Sequence, residues 1–196
     1  MFHRMKLAIK IGLLIGIPLV SGLFLAAIFV LKEKDEYLLA SEMASNINLL
    51  LANAELVKEL QRERGRSSMF LNKALTPELL QQQRGASNAT LPQWEKSLAG
   101  AQLSPDLKKA AAVAALKIKT VRTQVDELCP PPQSFNGYTE LIKNLRGLDA
   151  AIVNGKTTKG LGKMMMAVFV LGDAQESTGQ LRARMSGILG ADQAIS

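Results

Sequence analysis

The sequence predicts an all-α protein, an antiparallel bundle of four to five helices carried on one N-terminal transmembrane helix. Three observations predict it. Ala, Leu, Met, Lys and Gln are abundant while aromatic residues make up only 5%, a balance that favours helix over sheet. Apolar residues recur in steps of three and four along most of the chain, and no strand-like alternation of useful length appears. Residues 11–31, IGLLIGIPLVSGLFLAAIFVL, carry no charge and are long enough to cross a bilayer as a helix.

The elements follow in order. Residues 1–10 form a tail whose Arg4, Lys6 and Lys10 place it in the cytoplasm by the positive-inside bias. Residues 11–31 form the anchor, and residues 32–196 the extracytoplasmic bundle. A cleaved signal peptide is the rival reading of the anchor. The apolar stretch is long for a signal peptide, and no small-x-small site lies at its end. Gly12 and Gly16 form a G-x-x-x-G, and Pro18 is tolerable inside a membrane helix.

Beyond the anchor the helical pattern meets no Gly or Pro until Gly65 and reaches Leu71. Thr76-Pro77-Glu78 signals a second helix start, with Leu80, Arg84, Ser87, Leu91, Trp94 and Leu98 on one face; Pro92 should kink or shorten it. Ser104-Pro105-Asp106 opens a third helix with Leu107, Ala111, Ala114, Ile118, Val121, Val125 and Leu128 inward. The triple proline 130–132 ends it, and Ser134 caps a fourth helix with Tyr138, Leu141, Leu145, Leu148 and Ile152 inward, closed by Asn154-Gly155. A fifth begins near residues 158–161 and runs to about Leu189, with Leu161, Met164, Val168, Leu171, Gln175, Thr178, Arg182, Met185 and Leu189 as its stripe. The apolar run 164–171 reads as buried core.

The first helix carries the functional signal. Its stripe runs Met43, Ile47, Leu50, Ala54, Val57, and the same steps then give Gln61, Arg64, Ser68 and Leu71. The core line thus turns polar for about two turns. The same happens at Arg84 and at Gln175 to Arg182, so arginines from three helices point inward. Guanidinium is planar and always charged, with paired donors that match a flat oxyanion. Two readings follow from burying such a group. Either Glu63 and Glu176 neutralise the arginines in a salt-bridge network that fixes the register of a scaffolding membrane protein, or an anion from outside does.

Other chemistry is excluded. There is no phosphate-binding or dinucleotide glycine loop and no H-E-x-x-H. His3 is the only histidine and Cys129 the only cysteine, which excludes zinc and cysteine–histidine catalysis in practice, and neither an enzyme, a metal nor a cofactor is expected. The net charge of +7 is diffuse, with no basic stripe interleaved with aromatics, so nucleic acid is not expected as a partner.

The stretch Leu56-Val57-x-x-Leu60-Gln61-Arg62-Glu63-Arg64-Gly65-x-Ser67-x-x-Phe70-Leu71 resembles the signature of the nitrate- and nitrite-sensing (NIT) domain family. Gln83-Arg84, Val121-Arg122-x-Gln124-Val125-Asp126, Tyr138-x-x-Leu141-Ile142 and Gln175-Glu176-x-x-Gly179-x-x-Arg182-Ala183 extend the resemblance in the family's order over about residues 50–190. It implies an all-helical extracytoplasmic sensor of the kind found in bacterial chemoreceptors, histidine kinases and cyclases. Such a sensor sits in the inner membrane, binds nitrate or nitrite, and works as a homodimer or with a partner receptor subunit. The anion-binding role carries over to Arg62, Arg64, Arg84 and Arg182, with Gln61 and Ser68 as polar neighbours in the same pocket. Two departures stand out: Leu181 replaces the family's usual Glu, and the family's second membrane span and output module are expected to be missing after Ser196.

Overall fold

The computed structural model describes residues 7–155 and 161–190, and among these it contains five α-helices and no strand. They are α1 (Leu7–Leu71), α2 (Pro77–Gly100), α3 (Pro105–Asp126), α4 (Pro131–Val153) and α5 (Leu161–Gly190). The chain divides into two compact units, residues 1–41 and 42–196.

The first unit holds the N-terminal part of α1. Its most apolar window has a mean hydropathy of 2.6, and none of that window is buried. Leu14, Leu19, Phe24, Phe29 and Leu31 all expose more than half of their surface, as a helix surrounded by lipid would. The helix continues through Pro18, whose carbonyl accepts from Ser21 Oγ at 3.0 Å.

The second unit is organised around the rest of α1, which makes hydrogen bonds to each of the other four helices: Glu59 to Gln83 of α2, Glu63 to Arg122 of α3, Ser67 to Tyr138 of α4, and Arg64 to Glu176 of α5. The helix starts obey the local rules. Thr76 precedes Pro77 at the first helical position, although its side chain makes no cap bond, and Ser104 Oγ accepts from Leu107 N at 3.3 Å. The core stripe of α4 is as expected, with Tyr138, Leu141, Leu145, Leu148 and Ile152 all buried. α2 continues through Pro92 to Gly100 rather than ending early.

Four expectations are corrected. Ser134 is not the cap of α4: the helix begins at Pro131, and Ser134 lies within its first turn, buried, with no hydrogen-bond partner for its hydroxyl. Leu128 is not inward: it is 68% exposed and ends α3 with a positive φ of 57°. The innermost line of α1 lies one residue earlier than the predicted stripe, at Leu49, Asn53, Leu56, Leu60, Glu63 and Ser67, each with no measurable exposure. Met43, Val57, Arg64 and Ser68 remain buried on its flank, while Ala54 is exposed and Gln61 half-buried. The inward line of α5 lies one residue later than predicted: Met165, Glu176, Gly179 and Ala183 are buried, with Phe169 and Gly172 half-buried beside them. Val168, Leu171, Gln175, Thr178, Arg182, Met185 and Leu189 are exposed, so the run 164–171 is only partly core; the side chains of Leu161 and Met164 lie outside the described residues.

Candidate functional site

Two neighbouring residues of α1, Glu63 and Arg64, have side chains with no exposure and opposite charge. Each is neutralised from a different helix, and the two arrangements differ in kind.

Arg64 Nη1 donates to Glu176 Oε1 at 2.7 Å and Nη2 donates to Oε2 at 3.4 Å. Gln61 Nε2 donates to Oε2 at 2.7 Å, and Gln180 Nε2 donates to Oε1 at 2.8 Å. The Glu176 carboxylate therefore sits in a cradle of four N–H donors, a fork from one guanidinium and an amide on either side. That is the donor set a flat trigonal oxyanion needs. Thr139 Oγ1 accepts from Arg64 Nη1 at 3.1 Å, and the Phe135 ring lies under the guanidinium at 5.2 Å. Gly179 packs against the pair, where a Cβ would lie at ordinary contact distance, 3.4 Å, from Arg64 Nη2. Arg64 Nε is buried without a partner.

Gln61 also has an outward face. With Arg62, Arg66, Met69, Gln83 and Arg182 it lines a surface depression of about 250 Å³, which has three arginines and no carboxylate in its lining. Arg62 is tied to Glu59 at 2.6 Å, and Arg66 donates to the Leu79 carbonyl at 3.0 Å. The depression and the Arg64–Glu176 pair thus share the Gln61 side chain.

Glu63 is held differently. Arg122 grips it with Nε at 2.7 Å and Nη2 at 2.8 Å, Tyr138 donates its hydroxyl at 2.7 Å, and Arg84 Nε stands 3.9 Å away. Burial pushes the Glu63 carboxyl upward, but the hydrogen bond and charge of Arg122, with hydroxyl contacts, outweigh it and hold the pKa below the usual range. Burial likewise opposes the Arg122 charge, and Glu63 overcomes it and raises that pKa. Tyr138 is pushed well above the usual phenol range by burial and by the Glu63 charge. Arg84 completes the cluster through Asp126 at 2.8 Å and the Arg122 carbonyl at 3.3 Å.

The structure therefore separates the residues predicted as one site. Gln61, Arg62 and Arg182 line the surface depression, and Arg64 lies behind Gln61. Arg182 is exposed rather than inward, because α5 is rotated by one residue from the predicted phase. Arg84 belongs to the Glu63 cluster. Ser68 is buried, and its carbonyl accepts from Asn72. The third inward arginine is Arg122 of α3, which entered the sequence reading only as part of the family resemblance. Gln180 was missed altogether; its spacing of four from Glu176 is the signal that finds it. Among the described residues no group of His, Cys, Asp or Glu is arranged to hold a metal ion.

Residues 55–196 match the model of the NIT family, whose description is nitrate and nitrite sensing. No curated protein and no solved structure matches the chain.

Proposed function

Because this chain belongs to the NIT family, a family of nitrate and nitrite sensors, we propose that its helical bundle senses these anions by exchanging one of them for the Glu176 carboxylate on Arg64. The observation that carries the reading is the four-donor cradle around Glu176. Nitrate and nitrite are flat anions with the same spread of oxygens as a carboxylate. The depression lined by Arg62, Arg66 and Arg182 is cationic and concentrates anions at the outer face of Gln61. An anion that passes Gln61 takes over the guanidinium, and Glu176, about a tenth exposed, swings to solvent.

The consequence is mechanical. Glu176 is the charged tie between α1 and α5, so exchange weakens that tie and alters how the helices pack. Switching a population from mostly one packing to mostly the other needs a preference of roughly 5 kcal/mol. Two or three hydrogen bonds to a charged group, at about 1.5–3 kcal/mol each, are of that order. In this reading α1 crosses the inner membrane with its N-terminus in the cytoplasm and carries the change inward, to a second copy or a partner receptor subunit. Catalysis has no part in it.

The scaffold reading has its own support in the Glu63 cluster. There the protein's acid is buried and its cations come from neighbouring helices, which fixes register and leaves no exchangeable carboxylate inside.

Calorimetry on the full chain in lipid nanodiscs tests the proposal. Nitrate and nitrite are expected to bind and chloride to bind more weakly, and Arg64→Ala is expected to abolish binding while the helical content persists. A folded protein that does not respond to millimolar nitrate, or an Arg64→Ala variant that binds like the parent, overturns it.

A further inference from the structure

A slot of about 1040 Å³ opens between α2 and α3, at the top of the range of small-molecule pockets, roughly 300–1,000 Å³. Its origin lies in the sequence. α3 lines it with Ala112 and Ala115, where larger side chains would fill the gap, and α2 supplies Leu91, Trp94 and Leu98 opposite. Hydrogen bonds tie α2 to α3 at both ends of it. Lys108 Nζ donates to the Ala99 carbonyl at 2.9 Å at one end. At the other, Arg122 Nη1 donates to Asn88 Oδ1 at 2.6 Å and Arg84 Nη1 to Asp126 Oδ1 at 2.8 Å.

The charge of the lining selects the occupant. Two arginines and three lysines face the slot against only Glu95 and Asp126. Arg122 is the anchor. Its Nε and Nη2 are committed to Glu63, but Nη1 rests on a neutral amide oxygen at the slot's edge. A carboxylate in place of that amide would bring a full opposite charge to a donor that is itself ionised. Lys119, exposed one turn earlier on α3, reinforces it.

We propose that this slot binds an organic acid, its carboxylate on Arg122 and Lys119 and its apolar body between the α3 alanines and Trp94. The site shares no residue with the Arg64–Glu176 exchange and stands or falls independently of it.

The test uses the full chain in nanodiscs, with empty nanodiscs as the blank. The probes are 4-butylbenzoate, 4-butylbenzyl alcohol and 4-butylbenzylammonium. Trp94 is the only tryptophan and lines the slot, so its emission reports occupancy directly. The benzoate is expected to shift the emission saturably and to give a calorimetric isotherm, with the alcohol weaker and the ammonium without effect. Ala112→Phe, which fills the slot, is expected to weaken benzoate binding about tenfold or more, and Lys119→Glu, on an exposed position, about fivefold. Three results overturn the proposal: equal binding of all three probes, benzoate binding untouched by both substitutions, or no benzoate binding together with a change of oligomeric state in Ala112→Phe, which marks the slot as a contact between copies.

Discussion

Glu63 and Arg64 are adjacent in sequence and equally buried, yet their surroundings have opposite designs. Around Glu63 the acid is innermost, and Arg122, Tyr138 and Arg84 reach it from α2, α3 and α4. An anion from outside cannot take the place of that acid; it reaches only Arg122 Nη1, which rests on Asn88 at the outer edge of the cluster. Around Arg64 the cation is innermost, and its partner is a single partly exposed carboxylate on α5 beside a depression lined by arginines. The difference teaches where exchange is feasible. A ligand replaces a protein group of its own charge, so an anion sensor belongs where the protein's anion is the outer partner. The Glu63 cluster is then a knot that holds register, and the Arg64 pair a tie that can be undone.

That comparison breaks first at the knot. Removing one member of a buried pair leaves an uncompensated charge, so Glu63→Ala is expected to destabilise the bundle by about 3–5 kcal/mol in urea unfolding. The surviving folded protein should keep its nitrate response. A loss of response at temperatures where the variant is folded would mean that the two clusters are one site.

The pH dependence sharpens it next. Asp149 lies beside α1, accepting from Asn53 Nδ2 at 2.8 Å, and burial pushes its pKa up to about 6 against the opposing pull of Asn53 and Arg146. A raised carboxyl pKa means that the folded state holds the proton more tightly. The stability it contributes is complete below its ordinary value of 3.8 and lost as pH rises through about 6. Glu63, with a lowered pKa, acts the other way: its contribution is present above 4.5 and lost as pH falls through its folded value. Asp149→Asn is therefore expected to remove a decline on the order of 2 kcal/mol between about pH 4 and 6, followed by urea midpoints across that range. Nitrate affinity should not follow the Asp149 titration, because the hydrogen bonds of the Arg64 cradle come from Arg64, Gln61 and Gln180, and that of Asp149 goes to Asn53.

The smallest effect lies away from both clusters. Leu128 holds a left-handed backbone conformation that suits glycine, and its side chain is exposed. Leu128→Gly is expected to raise stability by about 1 kcal/mol, with nitrate binding unchanged. A fall in stability would show that the exposed leucine has a partner.

Much of this fold was legible before any coordinates. Thr76-Pro77 and Ser104-Pro105 announced two helix starts, and α4 declared its buried face because its apolar residues keep one line. The site was only half legible, and the reason is phase. α5 carries apolar residues on several faces, with Met166, Val168, Val170 and Leu171 all exposed beside buried Met165, so periodicity alone does not select one line. On α1 the inner line contains Asn53, Glu63 and Ser67, which a search for apolar residues steps past. A shift of one residue on each helix moved Arg182 outward and brought Glu176 and Gly179 to Arg64. The pairing of Glu176 with an inward arginine was legible in the sequence, but which arginine it meets depended on the phase.

The central claim is that Glu176 is an internal competitor for the site an external anion takes. Nitrate affinity in Glu176→Gln, measured by calorimetry beside the parent chain, tests it most directly. Removing the competing charge while keeping the side chain's shape is expected to tighten nitrate binding about tenfold, a change of roughly 1.4 kcal/mol. An affinity that stays the same or falls in a folded Glu176→Gln variant would contradict the exchange, and would leave the Arg64–Glu176 pair as a second structural knot.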